Sequence, residues 1–194
     1  MIVTETQLPG IRIIEPDVFV DNRGFFLESY SSAKLADLGI ADAFVQDNHS
    51  FSRKAGTLRG LHYQREPRAQ TKIIRCTRGR ILDVIVDIRE GSPTYCKWVS
   101  MELSADNFRQ VYVPAGFAHG FLSLTDDVEI HYKTSDYFAS DCDRCILWSD
   151  PAIGVCWGIE NPILSDKDRN APLLCDSDCN FIWEAETAKE MHKS

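Results

Sequence analysis

Apolar and polar residues alternate with a period of two along most of the chain. From Ile81 to Ile88, Leu82, Val84, Val86 and Ile88 fall on one face and Asp83 and Asp87 on the other, the pattern of a half-buried strand. Similar short runs predict strands at Ile11 to Ile14, Phe25 to Tyr30, Phe44 to Phe51, Thr71 to Thr77, Lys97 to Leu103, Arg109 to Val113, Gly120 to Leu124 and Val128 to Thr134. Turn chemistry separates them at Asn22-Arg23-Gly24, Arg78-Gly79, Glu90-Gly91-Ser92-Pro93, Pro114-Ala115-Gly116 and Thr125-Asp126-Asp127. Closely spaced strands with few helices imply an all-β fold, an antiparallel sandwich or jelly roll. A short helix is expected over Ala33 to Leu38, capped by Ser31 or Ser32 and stopped by Gly39. A helical turn is expected to start at Ser165-Asp166-Lys167-Asp168. After Leu174 the pattern lapses into acids and cysteines. The expected organisation is a jelly-roll domain over residues 1–174 and a loosely attached C-terminal tail over residues 175–194.

With 194 residues, 44% of them hydrophobic, the chain is long enough for one sizeable core, and disordered or fibrous classes are excluded. No segment approaches the ~18 apolar residues of a membrane span, and the N-terminus has neither a basic stretch nor an apolar run. Seven cysteines, an odd number, argue for reduced thiols and hence the cytoplasm. The pairs Cys142-x-x-Cys145 and Cys175-x-x-x-Cys179 have zinc-like spacing but lack a Gly-rich knuckle, so no structural metal is expected. A net charge of −8 disfavours nucleic acid and anionic membranes as partners. Within this acidic chain, Arg59, Arg65, Arg68, Lys72, Arg75, Arg78 and Arg80 face only one acid, Glu66, over the same stretch. Such an island suits a small phosphorylated ligand, although a solvated strand face accounts for any one of these residues equally well.

Two histidines stand in distinctive strings. His62 lies in Leu58-Arg59-Gly60-Leu61-His62-Tyr63-Gln64, and His119 in Pro114-Ala115-Gly116-Phe117-Ala118-His119-Gly120. The Pro-x-Gly-x-x-His string is similar to the second motif of cupins, which are jelly rolls that often bind a metal. The metal-binding version opens with His-x-His, whereas here Gln64 stands two residues after His62. A cupin-like barrel without metal is therefore expected.

Several strings in register resemble one family, the dTDP-4-dehydrorhamnose 3,5-epimerases. They include Asp21-Asn22-Arg23-Gly24-Phe25-Phe26, Gln46-Asp47-Asn48-His49-Ser50, Leu58 to Gln64, Pro114 to Phe121, Tyr132-Lys133 and Leu164-Ser165-Asp166-Lys167-Asp168, and the resemblance runs from about Ile2 to Leu174. It implies a homodimeric enzyme that inverts C3 and C5 of a dTDP-linked 4-keto-6-deoxy sugar, without a cofactor. The chain carries neither a dinucleotide glycine fingerprint nor a P-loop.

The resemblance assigns His62 as base, Asp168 as its orienting carboxylate, Lys72 as enolate stabiliser and Tyr132 as the acid on the opposite face. It carries over Arg23, Glu28, Gln46, Asn48, Arg59, His119 and Lys167 as substrate contacts. Strand parity agrees with an inward Tyr132, which shares a face with Val128 and Ile130. Arg59 and His62 are three residues apart and would point to opposite faces of a regular strand, so a bulge or bend at Gly60 is expected. Asp168 as a helix cap and Tyr132 as core filler are the plain structural alternatives. Gly158 after Trp157, the cysteines at 142, 145 and 156, and His131 in an ordinarily apolar position depart from the family pattern. They leave room for a monofunctional 3- or 5-epimerase on a related sugar.

Overall fold

The computed structural model describes residues 1–184. In chain order the first strands are β1 (Ile2–Glu5), β2 (Arg12–Glu15), β3 (Val18–Asp21) and β4 (Gly24–Leu27), followed by helix α1 (Ser32–Asp37). Next come β5 (Gln46–Ser52), β6 (Leu58–Gln64), β7 (Lys72–Arg78), β8 (Arg80–Asp87) and β9 (Trp98–Ser104). The last are β10 (Gln110–Val113), β11 (Phe117–Ser123), β12 (Val128–Thr134), β13 (Asp143–Cys145) and helix α2 (Asp166–Arg169).

A six-stranded sheet in the order β1-β2-β10-β7-β12-β5 faces a five-stranded sheet in the order β13-β6-β11-β8-β9, with antiparallel ladders throughout. This is the expected all-β, cupin-like jelly roll. Ile74, Val111 and Ile130 from one sheet meet Ile81, Ile85, Phe117 and Phe121 from the other, closing one part of the interior with apolar packing. Burial of each such side chain contributes ~1.5–3 kcal/mol before entropy is counted. The polar residues of the same inner faces are thereby confined to the remaining space, where the cavity lies.

β8 departs from the half-buried expectation because both of its faces are covered. Val84, Val86 and Ile88 pack under Ile146, Ile153, Trp157 and Leu174, while Asp83 and Asp87, fully buried, face the interior. The long excursion after β13 covers the outer face of the five-stranded sheet, so the parity is as expected and the exposure is not. Asp87 is neutralised by Arg89, with Ser92 and Thr94 hydroxyls donating to it at 2.6 and 2.7 Å.

Helix α1 begins after Ser31, whose hydroxyl accepts from the Lys34 N–H, and its Leu35 packs with Ile14, Ile40 and Ile73 on the outer face of the six-stranded sheet. Beyond residue 174 the chain is docked rather than loose as far as Trp183. Phe181 is buried, and the Trp183 N–H donates to the Glu90 carbonyl at 2.8 Å. Phe181 and Cys179 supply the apolar anchors that the acidic composition concealed. Residues 185–194 of the expected tail lie outside the described residues. No helix among the described residues is long and apolar enough to cross a membrane.

Candidate active site

β6 carries the first functional side chains, and its course depends on Gly60. The ladder between β6 and β11 shifts register between His119 and Phe121, and Gly60 has φ +137°. The expected bulge is therefore present: Leu58, Leu61 and Tyr63 point to the outer core while Arg59 and His62 both line the interior cavity. A side chain at Gly60 would meet the backbone of β11, its Cβ 2.5 Å from the Gly120 Cα. Glycine on both strands permits this close approach.

The cavity has a volume of about 240 Å³ and opens between the two sheets. β6 and β11 place Arg59, His62 and His119 on one wall; β7 and β12 place Lys72 and Tyr132 on the other. His62 and His119 are directly opposite across their ladder.

Each histidine is backed by a buried carboxylate. His62 Nε2 lies 2.5 Å from Asp168 Oδ1, with the imidazole one-third exposed to the cavity and the carboxylate almost fully enclosed. Asp168 sits in α2, whose N-cap Ser165 receives the Asp168 N–H and donates its own hydroxyl to Oδ2 at 2.8 Å. The Cys145 thiol donates to Oδ1 at 3.4 Å. Burial pushes the Asp168 carboxyl up, but the His62 hydrogen bond and charge, the Ser165 hydroxyl and the Cys145 thiol outweigh it and leave the group below its ordinary value. An ionised Asp168 fixes the proton of a neutral His62 on Nε2, which leaves Nδ1 with its lone pair, and the same carboxylate stabilises the imidazolium formed once Nδ1 takes up a proton. The capping interaction thus uses the backbone and Ser165, and the carboxylate remains available to His62.

His119 Nε2 pairs with the fully buried Asp83 at 2.8 Å. The Lys72 ammonium is pulled down to about 8 by desolvation, opposed by the charges of Asp143 and Asp83. At neutral pH it is mostly the cation. Tyr132 is raised above its ordinary value by burial, partly countered by Arg59, so its phenol remains protonated at neutral pH. Arg59 is held by the Phe51 carbonyl at 2.9 Å and the Ser52 hydroxyl at 3.1 Å.

Gln64 also lines the cavity, in the position where a metal-binding cupin has its second histidine. Its amide nitrogen donates to the Arg68 and Tyr137 carbonyls, and its oxygen accepts from the Ala139 N–H at 2.8 Å. Gln46 accepts from the Phe138 N–H at 3.0 Å and donates to Asn48 at 2.9 Å. These two glutamines fix the loop that presents Phe138 to the cavity. Asn48 lies opposite Tyr132 in the β5–β12 ladder. Lys167 is ion-paired with Asp143, which lines the cavity.

Two predicted contacts are elsewhere. Arg23 sits in the β3–β4 hairpin, bound to Asp21 at 2.5 Å, and Glu28 pairs with Lys34 at 2.8 Å; both are exposed. The basic island disperses as well. Arg65, Arg68, Arg78 and Arg80 pair with surface carboxylates, so only Arg59 and Lys72 of the seven line the cavity. Sequence reasoning missed Asp83, Asp143 and Cys145 as parts of the site. For Asp83 the available signal was a carboxylate recurring within an otherwise apolar strand.

The match to known proteins is extensive. The family model for dTDP-4-dehydrorhamnose 3,5-epimerase matches residues 5–176. The chain is similar to the dTDP-4-dehydrorhamnose 3,5-epimerase of Shigella flexneri, 51% identical over 179 residues that cover 92% of this chain and 98% of the relative. A solved Bacillus anthracis dTDP-4-dehydrorhamnose 3,5-epimerase with TDP and pyrophosphate bound has TM-score 0.86 and 50% identity, covering 88% of this chain and 98% of that one. The Legionella pneumophila epimerase in complex with dTDP-4-keto-L-rhamnose has TM-score 0.90 and 41% identity, covering 94% and 98%.

Proposed function

The chain belongs to the dTDP-4-dehydrorhamnose 3,5-epimerase family, and from that premise we propose how its own residues carry out the reaction. The enzyme is a sugar-nucleotide isomerase that inverts C3 and C5 of dTDP-4-dehydro-6-deoxyglucose to give dTDP-4-dehydro-L-rhamnose. The C4 ketone flanks both carbons and acidifies their C–H bonds, so the substrate carries its own electron sink.

The observation that carries the assignment is the opposition of His62 and Tyr132 across one cavity, each from a different sheet. His62 removes the proton from one ring face, and Asp168 stabilises the imidazolium that results. The Lys72 ammonium stabilises the enolate oxygen at C4, where negative charge develops. Tyr132 delivers a proton from the other face, and the centre is inverted. Exchange with solvent returns His62 to the free base and Tyr132 to the phenol, and repetition at the second carbon then completes the double epimerisation.

Arg59 and His119 hold the diphosphate in this proposal, which is supported by their lining the cavity and by a guanidinium that matches phosphate oxygens. Gln46, Asn48 and Lys167 complete the proposed contacts of the same subunit. Arg23 and Glu28 act in the cavity of a second copy. Among the described residues the hairpin that carries Arg23 pairs with no other strand, and it exposes Phe19, Phe25 and Phe26 at 65%, 57% and 69%. Such an apolar arm is covered by association, and a homodimer that exchanges arms would bring Arg23 and Glu28 to the partner's site. A cytoplasmic location belongs to the same proposal, supported by the odd number of cysteines, which suits reduced thiols.

The test is conversion of dTDP-4-dehydro-6-deoxyglucose by His62→Asn. Loss of turnover by at least ~10²-fold with retained binding of dTDP is expected; near-normal turnover would remove His62 as the base.

A further inference from the structure

The inner and outer faces of β12 differ in chemistry. Tyr132 serves the cavity, while Glu129 and His131 project from the opposite face, where the mechanism uses nothing. His131 stands directly opposite His49 of β5, and Glu129 is two residues before it on the same face. The imidazole rings stack with centroids 4.1 Å apart and planes 24° apart. His49 Nε2 lies 3.3 Å from Glu129 Oε2, and one donor atom from each of the three residues lies within 4.8 Å of the others. We infer that His49, Glu129 and His131 form a surface site for one divalent transition-metal ion of the zinc class.

The ladder supplies the preorganisation. Directly opposed residues on antiparallel strands have Cβ atoms only ~4.5–5.5 Å apart, and residues two apart on one strand share a face. β12 is paired on both sides, by β5 and β7, so the backbone that holds two of the donors is fixed. A tetrahedral ion with bonds of ~2.0–2.1 Å separates its ligands by ~3.3 Å. The His49–Glu129 pair already has that spacing, and the remaining donor needs only a side-chain rotation. Two imidazoles and one carboxylate favour zinc, cobalt, nickel or copper over magnesium or calcium, which prefer all-oxygen shells.

The second shell is consistent with this assignment. Arg78 approaches Glu129 through Oε1 at 3.6 Å, orienting the carboxylate while Oε2 remains beside His49. Arg75 stands opposite His131 on β7 and its charge opposes that of a bound cation, so the affinity has to come from the two imidazoles and the Glu129 carboxylate. A merely solvated strand face has no reason to gather two imidazoles and a carboxylate with a donor atom of each within 4.8 Å of the others. The bound ion would cross-link β5, which carries Asn48 and Ser50, to β12, which carries Tyr132.

A competing donor set exists at His62, Cys145 and Asp168, so the experiment must separate the two. Tag-free protein is titrated with Zn²⁺ by calorimetry and with Co²⁺ by visible absorption, using wild type, His49→Ala, His131→Ala and Cys145→Ala. Expected are one ion per chain, a Co²⁺ spectrum without thiolate charge transfer, and an affinity lowered at least ~10-fold in each histidine variant but unchanged in Cys145→Ala. That loss is set by the ~10–100-fold cost of removing even an outer-shell partner. Melting in the presence of Zn²⁺ should rise for wild type and not for His131→Ala, while the two melt alike in chelator. Absence of saturable binding, retention of affinity in either histidine variant, or loss in Cys145→Ala would overturn the inference.

Discussion

Replacement of Gly60 by alanine tests how β6 delivers two inward side chains three residues apart. The added Cβ would sit 2.5 Å from the Gly120 Cα and 3.0 Å from the His119 carbonyl oxygen. Carbon atoms settle at ~3.5–4.0 Å, so β6 and β11 would have to part by ~1 Å. Forced overpacking costs ~1–3 kcal/mol. The backbone at φ +137° adds ~1–3 kcal/mol for a residue with a side chain. Together the loss is ~2–6 kcal/mol against a whole-domain stability of ~5–15 kcal/mol. Activity should fall further than stability, because misplacing a catalytic group by ~1 Å costs ~10²-fold. Urea unfolding gives the first quantity and kcat/KM of the surviving folded enzyme the second. Gly91→Ala is the control: it shares a positive φ, +82°, but meets nothing within 4 Å, so a small stability loss and unchanged kcat/KM are expected. A Gly60→Ala enzyme as stable and active as wild type would refute the account of the bulge.

Asp168→Asn should lower kcat by ~10–150-fold, the equivalent of a charge-assisted hydrogen bond of ~1.5–3 kcal/mol, with little change in melting temperature; a melting loss as large as the activity loss would make Asp168 a structural residue instead. The rate should decline as pH rises through about 8, because Lys72 loses the charge that stabilises the enolate while Tyr132, raised by burial, is still protonated. Lys72→Arg keeps its charge and should shift that alkaline limb upward; an unmoved limb would assign it to another group. Sedimentation should show a dimer for wild type, and Phe25→Ser with Phe26→Ser should weaken it; a wild-type monomer with full activity would remove the exchanged arm.

Much of the fold was readable because the period-two pattern survives wherever one sheet face is apolar and the other polar. β5, β7, β9, β10 and β12 match their predicted runs closely. The strand that carries His62 gave no clean run, since the bulge at Gly60 breaks its parity between Leu58 and Leu61. β8 was legible in parity but not in burial: its outer face is covered by residues from 146 onward, a long-range contact that no local pattern encodes. Asp83 read as a surface acid because its face looks inward between the two sheets, where it is the buried partner of His119, and no local pattern encodes the facing sheet. The four proposed catalytic residues came from motif resemblance rather than periodicity, and only the tertiary structure brings Asp168 to a residue 106 positions earlier. Arg23 and Glu28 could not be placed by either route within a single subunit.

The central claim is a base and an acid acting from opposite faces of one ring at two carbons, and isotope incorporation tests it most directly. When dTDP-4-dehydro-6-deoxyglucose is converted in deuterated water, the product should carry deuterium at both C3 and C5, with both centres inverted. Tyr132→Phe should still exchange protons from the His62 side but impair inversion, because deprotonation does not require the acid on the far face. Label confined to one carbon in the wild type, or unimpaired double inversion in Tyr132→Phe, would contradict the account.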